Sequence, residues 1–210
     1  MSEPTVIELG PRDLLVVAGL PGAGKTTMLR RAVAGVPVLD SDQVRERLRA
    51  VVPGFLAYRW YRPVVHGWHR LRIVRWALGV AGPIVVHEPC TRASTRALFA
   101  LVGVVSGRPV RLLFLDVPAG VALAGQVARG RVVRGRGFAR HVRRVGKWRG
   151  ALAAGRVPVG WCSVRVVDRG LAGRVRIVAR AGAGKPGASA GPNARLFNGR
   201  QAASRRESVP

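Results

Sequence analysis

Lysine and acidic residues are scarce in this chain of 210 residues. The 36 basic residues are 33 Arg and 3 Lys, against 10 Asp and Glu, which gives a formal net charge of +26. Such a charge is typical of proteins that bind nucleic acid or an anionic membrane. However, selection for phosphate binding would not exclude lysine, which also binds phosphate well. Because Ala, Gly and Val are abundant too, we favour compositional drift of the GC-rich kind as the source of the charge.

Cysteine and long apolar runs are also scarce. The two cysteines, Cys90 and Cys162, have no metal-ligand spacing and suit a reducing cytoplasm. No apolar run approaches the roughly 20 residues that a membrane-spanning helix needs. Residues 1–13 lack a basic segment followed by an apolar one, so we expect no secretory signal. These features predict a cytoplasmic protein with no membrane partner.

Short apolar runs alternate with segments of helical propensity, and 48% of the residues are hydrophobic, which is enough for one core. Strands are predicted at 13–18, 36–40, 83–88, 109–117 and 163–168. Helices are predicted at 25–33, 41–51, 63–78, 93–106, 118–130 and about 138–154. This alternation predicts an α/β fold with a parallel sheet covered by helices on both faces.

The two ends of the chain differ from the middle. Residues 1–12 contain two prolines and are predicted to be an irregular lead. Residues 13–180 form the predicted domain. From residue 181 to residue 210 the composition is rich in Gly, Ala, Ser and Pro, which predicts a disordered tail.

The most specific motif is GLPGAGKTT, at residues 19–27, between a predicted strand and a predicted helix. It matches G-x-x-x-x-G-K-[ST], the loop that cradles phosphates with its backbone amides. Lys25 would reach the terminal phosphates and the Thr26 hydroxyl would ligate Mg²⁺. The residues expected to bind nucleotide are Gly19, Gly22, Ala23, Gly24, Lys25, Thr26 and Thr27.

A second stretch, GAGKP at 182–186, imitates this motif. No Ser or Thr follows its lysine, and Pro186 removes a backbone donor and disfavours a helix. We therefore do not interpret it as a phosphate loop.

Two carboxylates follow the second predicted strand, in the stretch LDSDQVRERL. Asp40 and Asp42 would lie at the carboxyl end of the sheet, where α/β proteins bind ligands. One could hold the water shell of Mg²⁺ and the other accept a proton from a substrate hydroxyl. Arg45 lies one helical turn after Asp42, on the same face. The alternative is that Asp42, or Ser41, only caps the helix.

The loop and LDSDQVRERL together resemble the small P-loop kinases of the polynucleotide-kinase, gluconate-kinase and zeta-toxin group. The pieces ALAGQVARGR and FARH are also similar to actinobacterial AAA-family ATP-binding proteins. This resemblance implies a three-layer P-loop NTPase fold, with strand order 2-3-1-4-5, that binds ATP and Mg²⁺. It also implies that Asp42 is the base towards the acceptor hydroxyl, that Arg45 holds the acceptor, and that Asp40 acts through Mg²⁺.

The stretch VVHEPCTRASTR, at residues 85–96, is similar to the acidic-then-T-x-R segment of zeta-toxin-like kinases. The resemblance implies that Glu88 belongs to the metal shell and that Thr91 and Arg92 contact the acceptor. His87 is interpreted as a buried strand histidine satisfied by the backbone.

A basic segment at about 129–137 lies between two predicted helices and has the composition of a kinase lid. Its arginines are Arg129, Arg131, Arg134 and Arg136, and Arg140 follows shortly after. Lids in the same group place arginines here, which implies a catalytic role for Arg129 and Arg131. The alternative is a solvated loop whose arginines reflect composition. Residues 58–76 interleave aromatic and basic side chains, which either bind an acceptor or form an amphipathic helix.

Three functions remain open at this stage. The first is a kinase that transfers the ATP γ-phosphoryl to a small-molecule or nucleotide hydroxyl. The second is a polynucleotide 5′-kinase or a nucleic-acid-associated ATPase, and the third is a nucleotide-binding regulatory module without catalysis. The acceptor itself cannot be named from these motifs, because acceptor loops vary independently of the fold.

Overall fold

The computed structural model describes residues 3–53, 55–130 and 135–180. The predicted tail, with its GAGKP stretch, lies outside these residues, and so do Arg131 and Arg134 of the predicted lid. Within the described ranges no helix combines the length and the apolar character that a bilayer crossing requires.

Seven strands and seven helices form in the described residues. The strands are β1 (Thr5–Leu9), β2 (Leu14–Gly19), β3 (Val38–Asp40), β4 (Ile84–His87), β5 (Val110–Leu115), β6 (Ser163–Val167) and β7 (Val175–Ala179). The helices are α1 (Lys25–Ala32), α2 (Ser41–Val51), α3 (Tyr58–Gly79), α4 (Ala93–Ser106), α5 (Ala119–Val127), α6 (Gly135–Ala153) and α7 (Arg169–Ala172).

Five strands form one sheet in the order β3-β4-β2-β5-β6, and every neighbouring pair is parallel. This confirms the α/β class and the predicted order 2-3-1-4-5. All six residues of the central strand, LLVVAG, are buried, as expected for a strand covered on both faces. The carboxyl ends of β3, β4 and β2 consequently lie side by side.

The prediction of an irregular lead is wrong for residues 5–9. They form β1, which pairs in parallel with β7, with Ile7 opposite Ile177. Ile7 and Leu9 are buried and Glu8 between them is exposed, which is the alternation of a half-buried strand. The two flanking prolines suggested a loop. The partner strand, β7, comes at the other end of the domain's sequence, so no nearby residues indicated the pairing.

The starts of two helices differ from prediction by several residues. The third helix was predicted to begin at residue 63, but α3 begins at Tyr58 and contains Pro63. Proline is common in the first turn of a helix, where its missing N–H costs no hydrogen bond. Pro63 therefore favoured a predicted helix start close to residue 63. Helix α6 begins at Gly135, so the last part of the predicted lid, residues 135–137, is helical.

Candidate active site

The glycine-rich loop joins β2 to α1, and its shape depends on glycine. The φ angles of Gly19, Gly22 and Gly24 are 140°, 90° and 99°, which other residues rarely adopt. A Cβ atom on Gly22 would also lie 2.0 Å from the carbonyl oxygen of Ala122 on α5. The loop therefore packs directly against α5, and Gly22 has no space for a side chain.

The first turn of α1 presents uncapped backbone amides. Gly24 is the N-cap, so no side chain accepts a hydrogen bond there, and the first turn carries no acidic residue. Ala23 is buried, Thr26 is half-buried and Thr27 is exposed. Amides at a helix start, together with the positive end of the helix dipole, form a binding site for an anion.

Lys25 is buried, with only 4% of its surface exposed. Its ammonium donates to the carbonyl oxygens of Gly19 at 3.0 Å and Leu20 at 2.8 Å. Burial lowers the pKa of Lys25 to about 8, although the negative charge of Asp40 opposes the shift. The loop's only lysine is thus held inside the curve of the loop.

Asp40 ends β3 and caps α2. Its Oδ1 accepts a hydrogen bond from the amide of Asp42 at 2.9 Å. The Asp40 amide in turn donates to the Gln43 side chain at 3.4 Å, and the two bonds form a capping box. The N-cap is therefore Asp40, and the assignment of Ser41 or Asp42 is wrong. Helix α2 begins at Ser41, where the helix was predicted to begin, and Asp40 caps it because the strand runs directly into the helix.

The second oxygen of Asp40 lies 2.7 Å from Nδ1 of His87, the last residue of β4. Burial would raise the pKa of Asp40, but the hydrogen bond and charge of His87 and the amide of Asp42 together hold that pKa below its usual value. The prediction that backbone groups satisfy His87 is wrong, because it contacts this carboxylate.

Glu88 follows β4, and burial raises the pKa of its carboxyl. Its Oε2 lies 3.8 Å from Nε2 of His69 on α3, which is too long for a hydrogen bond. His69 is fully buried, and neither ring nitrogen has a hydrogen-bond partner among the described residues. Burial lowers the pKa of His69 to about 4, so the ring is neutral near pH 7.

Asp42 lies in the first turn of α2, and Arg45 follows it one turn later. The guanidinium of Arg45 lies 4.2 Å from the ring centre of Tyr58 at the start of α3. Both Asp42 and Arg45 act electrostatically on the Tyr58 hydroxyl, whose pKa burial raises. These three residues therefore lie together where α2 meets the start of α3.

Thr91 and Arg92 lie between β4 and α4, as the sequence placed them. Thr91 is buried, and its hydroxyl lies 2.7 Å from Nδ1 of His141 on α6, whereas Arg92 is exposed. Burial, helped by the nearby cations Arg144, Arg92, Arg62 and Lys25, lowers the pKa of His141 to about 4. Thr91 thus connects the carboxyl end of β4 to helix α6, whose first residues belong to the predicted lid.

Helix α5 connects the loop to the start of the predicted lid. Gln126 is buried and donates to the Pro21 carbonyl at 3.0 Å. Arg129, just beyond α5, is exposed, and its side chain donates to the Gly125 carbonyl at 3.0 Å. Its positive charge contributes to the lowered pKa of Lys25, whose largest cause is burial.

Sequence reasoning missed His69, Arg72 and His141 as members of this region. Arg72 is buried on α3 and donates to the Gln43 side chain, so it contacts the cap of α2. His69 and Arg72 lie in the aromatic and basic segment 58–76, and His141 ends the FARH stretch, but neither pattern singles out these three side chains. The available signal was an interruption of the buried face of α3 and α6 by a polar residue.

The residues of this site suit a bound nucleotide with its Mg²⁺ better than a metal ion held by protein ligands alone. Within the described ranges no group of three or more His, Cys, Asp or Glu side chains could hold a metal ion. Mg²⁺, however, usually keeps several waters and is held by one or two protein groups and by phosphates. The loop amides and Lys25 would hold the phosphates, and the Thr26 hydroxyl would supply a protein ligand to Mg²⁺.

The parallel sheet, its strand order and the loop after its central strand define the P-loop NTPase fold. The family model of the AAA domain AAA_33 matches residues 14–151. The chain belongs to this AAA domain family. No curated protein sequence matches the chain.

Solved structures show the same fold at low sequence identity. A proposed kinase from Chloroflexus aurantiacus is 16% identical, with a TM-score of 0.52, over 75% of this chain and 88% of that one. A chain of the PezAT toxin–antitoxin system of Streptococcus pneumoniae is 14% identical, with a TM-score of 0.52, over 78% and 71%. A chain of the Pnkp1/Rnl/Hen1 RNA repair complex is 13% identical, with a TM-score of 0.53, over 72% and 47%.

Proposed function

We propose that the protein is an ATP-dependent phosphotransferase that transfers the γ-phosphoryl of ATP to a hydroxyl of a small-molecule or nucleotide acceptor. The observation that carries this proposal is the buried ammonium of Lys25 within the phosphate loop, adjoining the carboxylates at the ends of β3 and β4. Transfer requires a phosphate-binding loop, carboxylates that hold the water shell of Mg²⁺, and a nearby carboxylate that serves as base. The AAA domain family and the likeness to a proposed kinase support it.

The donor half of the site is the loop. The amides of residues 19–27 and the ammonium of Lys25 would hold the phosphates of ATP. Mg²⁺ would be held by the Thr26 hydroxyl and, through water, by Asp40 and Glu88. When bound, Mg²⁺ neutralises charge on the phosphate oxygens. Asp40 suits a role through water, since both its oxygens already accept hydrogen bonds.

The acceptor half lies between α2, α3 and the segment before α4. Arg45, Thr91 and Arg92 would position the acceptor, and Asp42 would accept the proton of its hydroxyl. The acceptor oxygen forms the new bond to the γ-phosphorus while the bond from that phosphorus to the bridging oxygen breaks. ADP leaves with the electrons of that bond, and the proton remains on Asp42 until solvent removes it.

The catalytic domain would cover residues 13–180, together with β1, and residues of about 129–137 would close over the nucleotide. Arg129 and Arg131 would then lie against the transferring phosphoryl group and neutralise its charge. The free thiols of Cys90 and Cys162 support a reducing, cytoplasmic location.

A second candidate function, polynucleotide 5′-phosphorylation, is favoured by one face of α3. Trp60 and Trp68 are 65% and 57% exposed, and Arg59 lies 5.4 Å from the ring centre of Trp60. Exposed aromatic and basic side chains on one surface can stack bases and contact phosphates. A salt titration of single-stranded DNA and RNA binding tests this, since real phosphate contacts give a steep salt dependence.

ADP formation with a panel of sugars, nucleosides, their phosphates and short oligonucleotides tests the main proposal. At least one acceptor should raise the rate, and Lys25→Ala should reduce it by about a hundredfold or more. Arg30→Ala is the matched control, because Arg30 is exposed on the same helix. Tight ATP binding with no acceptor-dependent ADP in any combination would instead support a regulatory module.

A further inference from the structure

A cleft of about 560 Å³ lies between the start of α4 and the middle of α6. Its walls carry four cationic side chains, those of Arg92, Arg96, Arg144 and Lys147. None of the described residues that line it is Asp or Glu. The cleft therefore has a surplus of positive charge with no internal counter-charge.

Arg96 is held in a fixed position at the base of this cleft. One guanidinium nitrogen donates to the carbonyl oxygens of Cys90 at 3.2 Å and Thr91 at 3.3 Å. The guanidinium carbon also lies 4.5 Å from the ring centre of Trp148. Such anchoring reduces the rotamer entropy that an arginine loses when it binds an anion.

Hydrogen-bond donors without an acceptor also lie next to the cleft. Helix α4, of 14 residues, starts at the cleft with Arg92 as N-cap, and its first turn has no side-chain cap and no acidic residue. The indole N–H of Trp148, in the wall, is buried without an acceptor among the described residues. Buried donors are almost always satisfied in folded proteins, so this wall lacks an acceptor as well as a negative charge.

The cleft differs from the places where arginines of this chain meet a carboxylate. There they pair with it, as Arg111 does with Asp13 at 2.8 Å and Arg149 with Asp116 at 2.8 Å. The four cations of the cleft instead line a surface that contains no carboxylate. A bound anion would offset their positive charge.

We propose that the cleft binds a phosphate group of the acceptor, and that the acceptor is therefore a phosphorylated small molecule. This inference rests on the proposed function for its position, since Thr91 and Arg92 belong both to the cleft and to the proposed acceptor site. Four cations match a dianionic phosphate ester better than a single carboxylate. The volume suits a small molecule.

Binding of inorganic phosphate to the full chain tests the site directly. The indole N–H resonance of Trp148, assigned through Trp148→Phe, should shift saturably with phosphate and not with chloride at equal ionic strength. Arg144→Gln and Lys147→Gln should each weaken this binding by about tenfold. Arg143→Gln, an exposed neighbour on α6 that does not line the cleft, should leave it unchanged.

A shift that does not saturate, or one that persists in both cleft variants, would overturn the inference. Turnover separates it from the proposed function. ATP-dependent transfer to unphosphorylated acceptors alone, with no phosphate binding in the cleft, would support the proposed kinase activity and contradict the phosphate site. Saturable phosphate binding without any transfer would support the phosphate site and contradict the kinase activity.

Discussion

Asp40 and His87 join two neighbouring strands of the sheet at the edge where the phosphate loop lies. Their positions are paired in the register of β3 and β4, and His87 Nδ1 lies 2.7 Å from Asp40 Oδ2. The other Asp40 oxygen accepts the amide of Asp42. One carboxylate thus fixes both the end of β4 and the start of the helix that carries Asp42.

Replacing His87 with alanine should release this carboxylate. Because burial would then be opposed only by the Asp42 amide and by His69, the pKa of Asp40 should rise above its value in the native protein. The free energy of unfolding at pH 7 should fall by about 1–3 kcal/mol. NMR titration of the Asp40 carboxyl and chemical denaturation measure these two quantities. His66→Ala serves as control, and an unchanged Asp40 pKa in His87→Ala would contradict the expected pairing.

A methyl group on Gly125 should distort the phosphate loop from the α5 side. Its Cβ would lie 2.4 Å from the Gly22 carbonyl oxygen, whereas a Cβ on Gly120 of the same helix meets nothing within 4 Å. Gly125→Ala should weaken ATP binding by about tenfold or more, because small displacements of a binding loop are costly. Gly120→Ala should bind ATP normally. Calorimetry of both variants decides, and equal affinities would show that this contact does not shape the loop.

Acid should destabilise the protein through His69. Its folded-state pKa of about 4 lies below the unfolded value of 6.5, so its contribution is complete above pH 6.5 and is lost as the pH falls towards 4. By pH 5 the loss should be about 2 kcal/mol. His69→Phe cannot take up this proton, so its unfolding free energy should fall less between pH 7.5 and 5.

The charges acting on His69 come from several elements. Asp40 of β3 favours its protonation, while Arg72, His87 and His66 oppose it, and Glu88 lies 3.8 Å away. Chemical denaturation across the pH range should therefore be compared between His69→Phe and the native chain. Parallel curves would mean that His69 does not account for acid sensitivity.

Arg108 shows that some arginines of this basic chain have a structural role. It is buried, and its guanidinium donates to the carbonyls of Ala77 at 2.7 Å, Gly82 at 2.8 Å and Arg12 at 3.2 Å, and also to that of Val80. Lysine cannot satisfy four acceptors in this geometry. Arg108→Lys should cost about 2 kcal/mol or more, and Arg75→Lys, on the exposed face of α3, about 0.5 kcal/mol or less. Similar melting temperatures would contradict this role.

The sequence predicted the features that depend on local pattern. The strand–helix alternation predicted the parallel sheet, and the resemblance carried by the glycine-rich loop and LDSDQVRERL implied its strand order; the structure confirms both. The strand Thr5–Leu9 was missed because it is short, lies between two prolines and pairs only with residues 175–179. Pairing over such a separation leaves no local signal.

The polar cluster around the strand ends was only partly predictable. Asp40 and Glu88 follow apolar runs, so their positions at the sheet edge were expected. His69 and His141 come from helices whose rotation about the axis is set by tertiary packing, which one sequence does not specify. The N-cap was predicted at Ser41 or Asp42 instead of Asp40 because its position depends on where the strand stops, a boundary that propensities locate only within a few residues.

The fate of the γ-phosphate tests the central claim most directly. ATP with heavy oxygen in its γ-phosphate would be incubated with the protein and a library of phosphorylated and unphosphorylated acceptors, followed by mass spectrometry. The account predicts a labelled phosphoryl group on an acceptor hydroxyl, with transfer lost in Asp42→Asn and retained in Glu46→Gln, an exposed neighbour on α2. Label found only in inorganic phosphate, or equal transfer by Asp42→Asn, would contradict it.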